Sequence, residues 1–394
     1  MEHCTEPSAL SRYSPSVRSE MEEGSVHIPA TLVRGGTSKC WLFAESDLPG
    51  TVDDLEALLV NAYGAADPVQ LDGVGGATPT TSKAAVIRPS AVPGVDVDYL
   101  FGQVGIGIGR VEWGSNCGNC ATAIALWSVS TGLVAVAGDL TRVAMRNINT
   151  GAVLEAEVDT TGGRVHEFGT QTVPGTRAGG VAVGLKFLDP CGGVTGSTSP
   201  TGHVVEELEA AGITARASML DAGAPMVLLD AASLGRTGTE GLDAVGGLVD
   251  VLRPFRHRAA HCMGLTARGD APDDAVPKVG IVGSPASYRT WLGDEVDAED
   301  YDVAVRMLSM NSPHPAIGLT SAVGVAVANL LAGSVVHGAS AAPGAAELRI
   351  GTPAGVVTVT SGEPAPAGPR WITIRRAARI LCRADILVPE PVAV

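Results

Sequence analysis

Apolar residues along this chain fall into two patterns that predict different elements. Short runs of strand length, most of them rich in Val or Ile and broken by Gly and Pro, occur at 28–33, 84–88, 95–101, 141–146, 153–158 and 181–187. They recur at 215–218, 226–229, 278–282, 348–350 and 356–360. Helical spacing is rarer and marks 52–62, 204–212, 245–263 and 302–308. Two further stretches, 121–138 and 314–338, contain no Asp, Glu, Lys or Arg. About 20 apolar residues can span a bilayer. Here Gly, Ser and Thr occur in both stretches and Asn in the second, and no Lys/Arg asymmetry flanks them. A helix apolar on all sides is also what a helix wrapped by sheet looks like, and that is the reading adopted.

The order is strands, enclosed helix, strands, and then the same again. Each enclosed helix follows a polar segment, 115–119 or 309–314, and leaves through a glycine, Gly132 or Gly333. Two such units predict an internal duplication with its boundary near the loop 189–202. The division expected is a loose leader over 1–25, a domain over 26–189, a second over 190–380, and a tail over 381–394 returning to the first.

Composition narrows the function classes. A chain of 394 residues, 45% hydrophobic and 18% charged, is neither disordered nor dependent on disulfides for a core. Its net charge of −15 repels a phosphate backbone and an anionic leaflet, so neither nucleic acid nor membrane is an expected partner. Seven scattered cysteines, an odd number, and a polar start without an apolar h-region point to reduced thiols in a cytoplasm. Only four basic residues are lysines (Lys39, Lys83, Lys186 and Lys278), which suggests an Arg-rich, GC-rich bacterial background and makes each lysine worth weighing.

Three windows could carry chemistry. Asn116-Cys117-Gly118-Asn119-Cys120 opens the first enclosed helix. A cysteine there meets unpaired backbone N–H groups and the positive end of the helix dipole, which predicts a stabilised thiolate and a lowered pKa. The same donors would hold a substrate carboxylate. The competing reading is a pair of small buried hydrophobes. A redox pair would need a thioredoxin-like βαβ setting, and a structural zinc site a second ligand pair; neither is present in the sequence. Thr80-Thr81-Ser82-Lys83 leads into a buried strand, where Lys83 is either a snorkelling surface residue or a desolvated functional amine. Arg34-Gly35-Gly36-Thr37-Ser38-Lys39 lacks the P-loop order but can build a backbone concavity for an anion. The run 105–109 reads as a glycine-rich turn, and no metal-binding motif appears.

Together these windows resemble one family. RGGTSK at 34–39, Thr-Ser-Lys at 81–83, SNCGN at 115–119, RNINTG at 146–151, PTGH at 200–203 and SMLDAGAP at 218–225 occur in its order. PKVGIVGSP at 277–285, SMNSPHPAIGLTSAV at 309–323 and RIGTPAGVV at 349–357 follow. They are similar to the methylaconitate isomerase, oxalomesaconate tautomerase and methylitaconate Δ-isomerase family, over roughly residues 26–390. The resemblance implies an α/β (α+β) diaminopimelate-epimerase-like fold: two pseudo-symmetric domains, each a curled, mostly antiparallel sheet around a central helix. It implies a cofactor-independent isomerase that shifts a proton between allylic carbons of a small unsaturated carboxylic acid, with no metal. Lys83 and Cys117 match its acid/base positions. Arg34, Gly36, Thr37, Ser38, Ser82, Asn116, Gly118, Asn119, Ser309, Asn311 and His314 are the substrate-binding candidates.

Two departures bear on the substrate. The family's usual Asp-Ala-x-Asn-Pro is here Asp221-Ala222-Gly223-Ala224-Pro225, and Asn311 stands where Gly is usual. If both loops face the cleft, and Arg34 with Lys39 supplies the cations of the 34–39 segment, an acid with fewer carboxylates than methylaconitate is expected. An isomerase of specialised metabolism, of the alkyl-proline antibiotic precursor type, is one alternative. A non-catalytic accessory protein of an iron–sulfur dehydratase is another, and a homodimer stays open.

Overall fold

The computed structural model describes residues 25–48, 51–113, 117–267, 276–365 and 368–389. The expected leader, apart from Ser25, lies outside these residues, as does the candidate Asn116. Helices among the described residues are α1 (Val52–Tyr63), α2 (Gly118–Ser130), α3 (Leu242–Gly246), α4 (Val249–Cys262), α5 (Leu319–Leu330) and α6 (Val335–Ala339). Seventeen strands join into one hydrogen-bonded, mostly antiparallel sheet.

The two uncharged stretches become α2 and α5, and sheet wraps both. Every residue of α2 from Cys120 to Val129 is buried. It packs on the strands Ser25–Gly35, Ser38–Ala44, Leu140–Asn147, Val153–Asp159 and Val181–Leu188. In α5 every residue from Ser321 to Asn329 is buried, against Ile213–Ala222, Ala224–Asp230, Glu347–Thr352 and Gly355–Ser361. A helix with no wet face must satisfy its polar side chains internally. Thr122 and Ser128 donate back to the carbonyls of Gly118 and Ile124, both at 2.8 Å, and Trp127 Nε1 donates to Thr31 Oγ1 at 3.1 Å. Neither α2 nor α5 is long enough to cross a bilayer, and no described helix is.

Two expected helices are strands. The stretch 204–212 contains Glu206–Ala210, paired antiparallel with Ile213–Ala222 across a turn in which Ala211 and Gly212 have φ of 50° and 77°. Its Glu residues favour helix, but Leu208 and Ala210 alternate inward with Glu207 and Glu209 outward, a period of two. The stretch 302–308 is the strand Val303–Ser309, antiparallel to Lys278–Gly283 and parallel to Glu347–Thr352. Buried on both faces, it shows no alternation to read. Its one cation, Arg306, is satisfied by the carbonyls of Glu240, Val305 and Gly351 and lies over the Tyr288 ring.

The sequence reading did not mark the longest strand, Trp371–Pro389. It pairs with Gly355–Ser361 near its start, with Val181–Leu188 through residue 378, and with Ser25–Gly35 from Ala378 onward. Ile372 and Ile374 belong to the core around α5, and Ala378 to the core around α2. One strand therefore ties both cores together.

The segment 34–39 is a two-residue hairpin turn, with Arg34 opposite Lys39 and Gly35 opposite Ser38. Gly36 takes φ of 53°, which the turn requires. Gly35 is needed for a different reason: a Cβ there would lie 2.0 Å from the Asn119 carbonyl oxygen and 2.8 Å from the Ala123 nitrogen. Backbone cannot yield as a side chain does, so Gly35→Ala must push the hairpin off α2. A loss of about 2–3 kcal/mol is expected from overpacking, read as a lowered urea midpoint at unchanged m. Gly193→Ala, where a Cβ meets nothing within 4 Å, is the control and should move stability by less than about 0.5 kcal/mol. Equal midpoints for the two variants would contradict this account of Gly35.

Candidate active site

The starts of α2 and α5 face each other. A Cβ on Gly118 would lie 2.1 Å from Leu319 Cδ1, so the first residues of the two helices are in contact. The N-caps are Cys117 and Gly318, and neither side chain caps its helix. Both ends therefore present unpaired backbone N–H groups to the same space. That space is a cleft of about 460 Å³, with Leu154, Phe187, Leu308 and Val357 among its apolar walls. Its polar lining includes Thr37, Ser38, Thr80, Lys83, Cys117, Asn119, Lys278, Ser309, His314, Thr320, Ser321 and Arg376, and no Asp or Glu among the described residues. A larger hollow of about 790 Å³ lies between α1 and residues 384–387, with Asp67, Asp72 and Asp385 around it and none of these groups.

Lys83 begins the strand Lys83–Pro89 and is 9% exposed. Its Nζ donates to Gln103 Oε1 at 2.6 Å and lies 5.2 Å from the centre of the Phe101 ring. Gln103 is oriented in turn by donating to the Ser82 carbonyl at 2.9 Å. Lys83 and Cys117 line the same cleft, near enough for each to shift the other's pKa. Burial pulls the Lys83 pKa down, but the sulfurs of Cys117, Cys120 and Cys40 outweigh it, and the amine ends above its ordinary value.

The sequence predicted a lowered pKa for Cys117, and the structure gives the opposite direction. Its hydrogen bond with Cys120, followed by burial, holds the thiol well above the ordinary thiol range, against the pull of Lys83. The reason is local: the neighbouring Cys120 thiol and burial outweigh the lowering pull of Lys83 and of the Cys120 backbone N–H in the first turn of α2. At neutral pH the pair rests as an ammonium beside a thiol.

His314 accepts the Ala316 N–H at Nδ1, at 3.0 Å, which leaves Nε2 as the ring donor. Burial, then the charges of Arg376 and Lys278, push its pKa down to about 4, so it acts as a neutral donor. Asn119 Nδ2 donates to Thr37 Oγ1 and Ser38 Oγ at 3.1 and 3.2 Å, joining the hairpin turn to α2.

The cleft thus gathers Thr37, Ser38, Lys83, Cys117, Gly118, Asn119, Ser309 and His314 from the candidates. Four others lie outside its lining. Arg34 donates to the carbonyls of Gly36 and Gly179, at 3.1 and 3.0 Å, and holds the turn to a neighbouring loop. Gly36 sits behind Asn119 and leaves room for its amide. Ser82 is buried and donates to Gln70 Oε1 at 2.6 Å. Asn311 is exposed at the tip of a hairpin formed by Leu308–Pro313, near Arg256. The loop that contains Ala224 packs on the side of α5 through Gly223 and is also absent from the lining. Of the two departing positions neither Asn311 nor Ala224 is in the lining, although Ser309 and His314 beside Asn311 are, and the cations of the lining are Lys83, Lys278 and Arg376.

Sequence reasoning missed Arg376, Lys278, Gln103, Thr80 and Thr320. Lys278 carried a signal, as one of only four lysines, within the motif at 277–285. Arg376 carried none, being one of several arginines in an unmarked strand. Among the described residues, no three of His, Cys, Asp or Glu gather as a metal site.

The family model described as PrpF protein matches residues 25–389. A 2-methyl-aconitate isomerase of Cupriavidus necator is 35% identical over 391 residues, covering 92% of this chain and 98% of its own. A 3-methylitaconate isomerase of Eubacterium barkeri is 31% identical, covering 90% and 96%. The crystal structure of a methylitaconate-delta-isomerase overlays with a TM-score of 0.84 at 29% identity, covering 93% and 96%. With that overlay and the two sheet-wrapped helices, the fold is the diaminopimelate-epimerase-like α/β architecture expected from the sequence. The chain belongs to the PrpF protein family and is an isomerase that transposes a carbon–carbon double bond.

Proposed function

We propose that this enzyme moves a proton between the allylic carbons of a small unsaturated acid bearing at least two carboxylates, using Lys83 and Cys117. The observation that carries the proposal is that both line one cleft, with no Asp or Glu among its described lining residues, at the meeting point of two helix starts. The relatives named for methylaconitate and methylitaconate support that substrate class.

Shifting the double bond by one carbon needs a base to take a C–H proton and an acid to return one at the far end of the dienolate. The negative charge passes onto a substrate carboxylate between the two steps. Backbone N–H groups at the starts of α2 and α5, with the Thr37 and Ser38 hydroxyls and His314 Nε2–H, are the donors available to it. One member of the pair must first lose a proton, since ammonium and thiol together can only donate. The remaining proton belongs to the pair, and assignment of acid and base to one residue each is left open. Free thiols at the centre require a reducing compartment, and we place the enzyme in a cytoplasm.

Proton–deuterium exchange in D2O, followed by NMR with methylaconitate and methylitaconate, reads the reaction directly. Lys83→Ala is expected to slow exchange by about two orders of magnitude or more, with less effect on KM than on kcat. Cys117→Ser should be comparably slow, because a hydroxyl is a far weaker acid than a thiol. If the double variant still exchanged at the wild-type rate, the pair would not be catalytic. Full support of the pathway by an inactive double variant would favour an accessory role.

The pH dependence has a definite sign. Both pKa values are raised, so the two-proton form dominates at neutral pH and the one-proton form grows as pH rises. The expected log kcat/KM therefore climbs from neutral into alkaline pH with a slope near one. A profile that falls over that range would contradict the resting state described.

A further inference from the structure

The residue of the cleft least explained by the chemistry above is Arg376. It lies on the strand Trp371–Pro389, where residues two apart share a face. Ile372 and Ile374 on that face enter the core around α5, and Ala378 enters the core around α2. Between them, where packing alone would favour an apolar side chain, stands a guanidinium that is 5% exposed.

Its protein partners do not account for it. Nη2 donates to Asn119 Oδ1 at 2.6 Å, and Nε is buried without a partner. Among the described residues it forms no ion pair to Asp or Glu, and none of those lining the cleft is acidic. Burial without a counter-charge lowers its pKa to about 10, which still leaves it charged at neutral pH. Replacing an unpaired buried charge by an apolar side chain is ordinarily stabilising.

The surroundings nevertheless hold it in place. Asn119 Nδ2 is committed to Thr37 and Ser38, so Oδ1 faces the guanidinium. A Cβ on Gly36 would come within 2.9 Å of Arg376 Nη2 and 2.2 Å of Asn119 Oδ1, so the glycine of the turn leaves the slot open. A buried cation oriented on one edge, with donors left over and a cleft in front, lacks only an anion.

We propose that Arg376 is the carboxylate-binding residue of this cleft, taking one substrate carboxylate through its planar donor fork and so fixing which end of the acid faces Lys83 and Cys117. The proposal rests on the reading of the cleft as an isomerase site for an unsaturated acid, and it adds the residue that selects for a second carboxylate. Arg suits that task better than Lys because its donors match both carboxylate oxygens at once.

The test is calorimetric titration with methylsuccinate, a saturated dicarboxylate with no allylic C–H, against wild type, Arg376→Gln, Arg376→Lys and Arg376→Met. Arg376→Gln is expected to weaken binding about 30- to 100-fold, and Arg376→Lys about 10-fold. A merely structural arginine would be recognised by its melting behaviour. Arg376→Met should melt at or above the wild-type temperature without ligand, yet gain less than wild type when methylsuccinate is added. Binding of methylsuccinate by folded Arg376→Gln within threefold of wild type would overturn the proposal. So would a lower melting temperature for ligand-free Arg376→Met combined with an undiminished gain from the ligand. Exchange in D2O by the wild type tests the isomerase reading separately. Loss of methylsuccinate binding in the variants with no exchange by wild type would keep the anchor and reject the reaction.

Discussion

Where α2 and α5 begin, neither helix has a side chain capping its first N–H groups, and the two starts touch through Gly118 and Leu319. Two positive helix ends this close would repel each other in a loose assembly. They stay together because each helix is encased by sheet along nearly its whole length and cannot slide or turn without exposing buried side chains. The cores supply the force, and the cleft is where their constraint is felt. Gly35 lets the backbone of the turn approach that of α2 there, and Gly36 and Gly118 leave room for the side chains of Asn119, Arg376 and Leu319.

That arrangement sets the electrostatics of the site. The chain as a whole has a net charge of −15, yet among the described residues no carboxylate lines the cleft, while Lys83, Lys278 and Arg376 do. A local field opposite to the global one favours entry of a small anion over the acidic surface around it. The same field opposes protonation of His314, which serves as a neutral donor. It does not suffice to ionise Cys117, because a neighbouring thiol and burial weigh more than the helix end and Lys83. Lys83 and Cys117 therefore both rest protonated at neutral pH.

The long last strand couples this site to the rest of the fold. It pairs with strands around both helices and contributes side chains to both cores before it runs along Ser25–Gly35. Displacing it would disturb both cores and the cleft together. A single strand in common thus does what a loop between two separate bodies could not: it holds a side chain in register with both helix starts.

How much of this was legible in the chain depends on the range of the physics involved. Long uncharged stretches must be buried on every side, so α2 and α5 and their sheet surroundings were readable locally. Lys83 and Cys117 were readable as candidates because scarcity and a helix-start position are also local facts. The strands Glu206–Ala210 and Val303–Ser309 were not, since glutamate propensity masked one period and two-sided burial erased the other. Nor was the protonation of Cys117, which is decided by Cys120 and by burial. Arg376 lies 257 residues from the Asn119 that orients it. Local pattern determines which segments must be buried. Only the tertiary structure decides which polar groups are buried beside one another, because charge, desolvation and hydrogen bonding act through space between residues that the sequence keeps far apart.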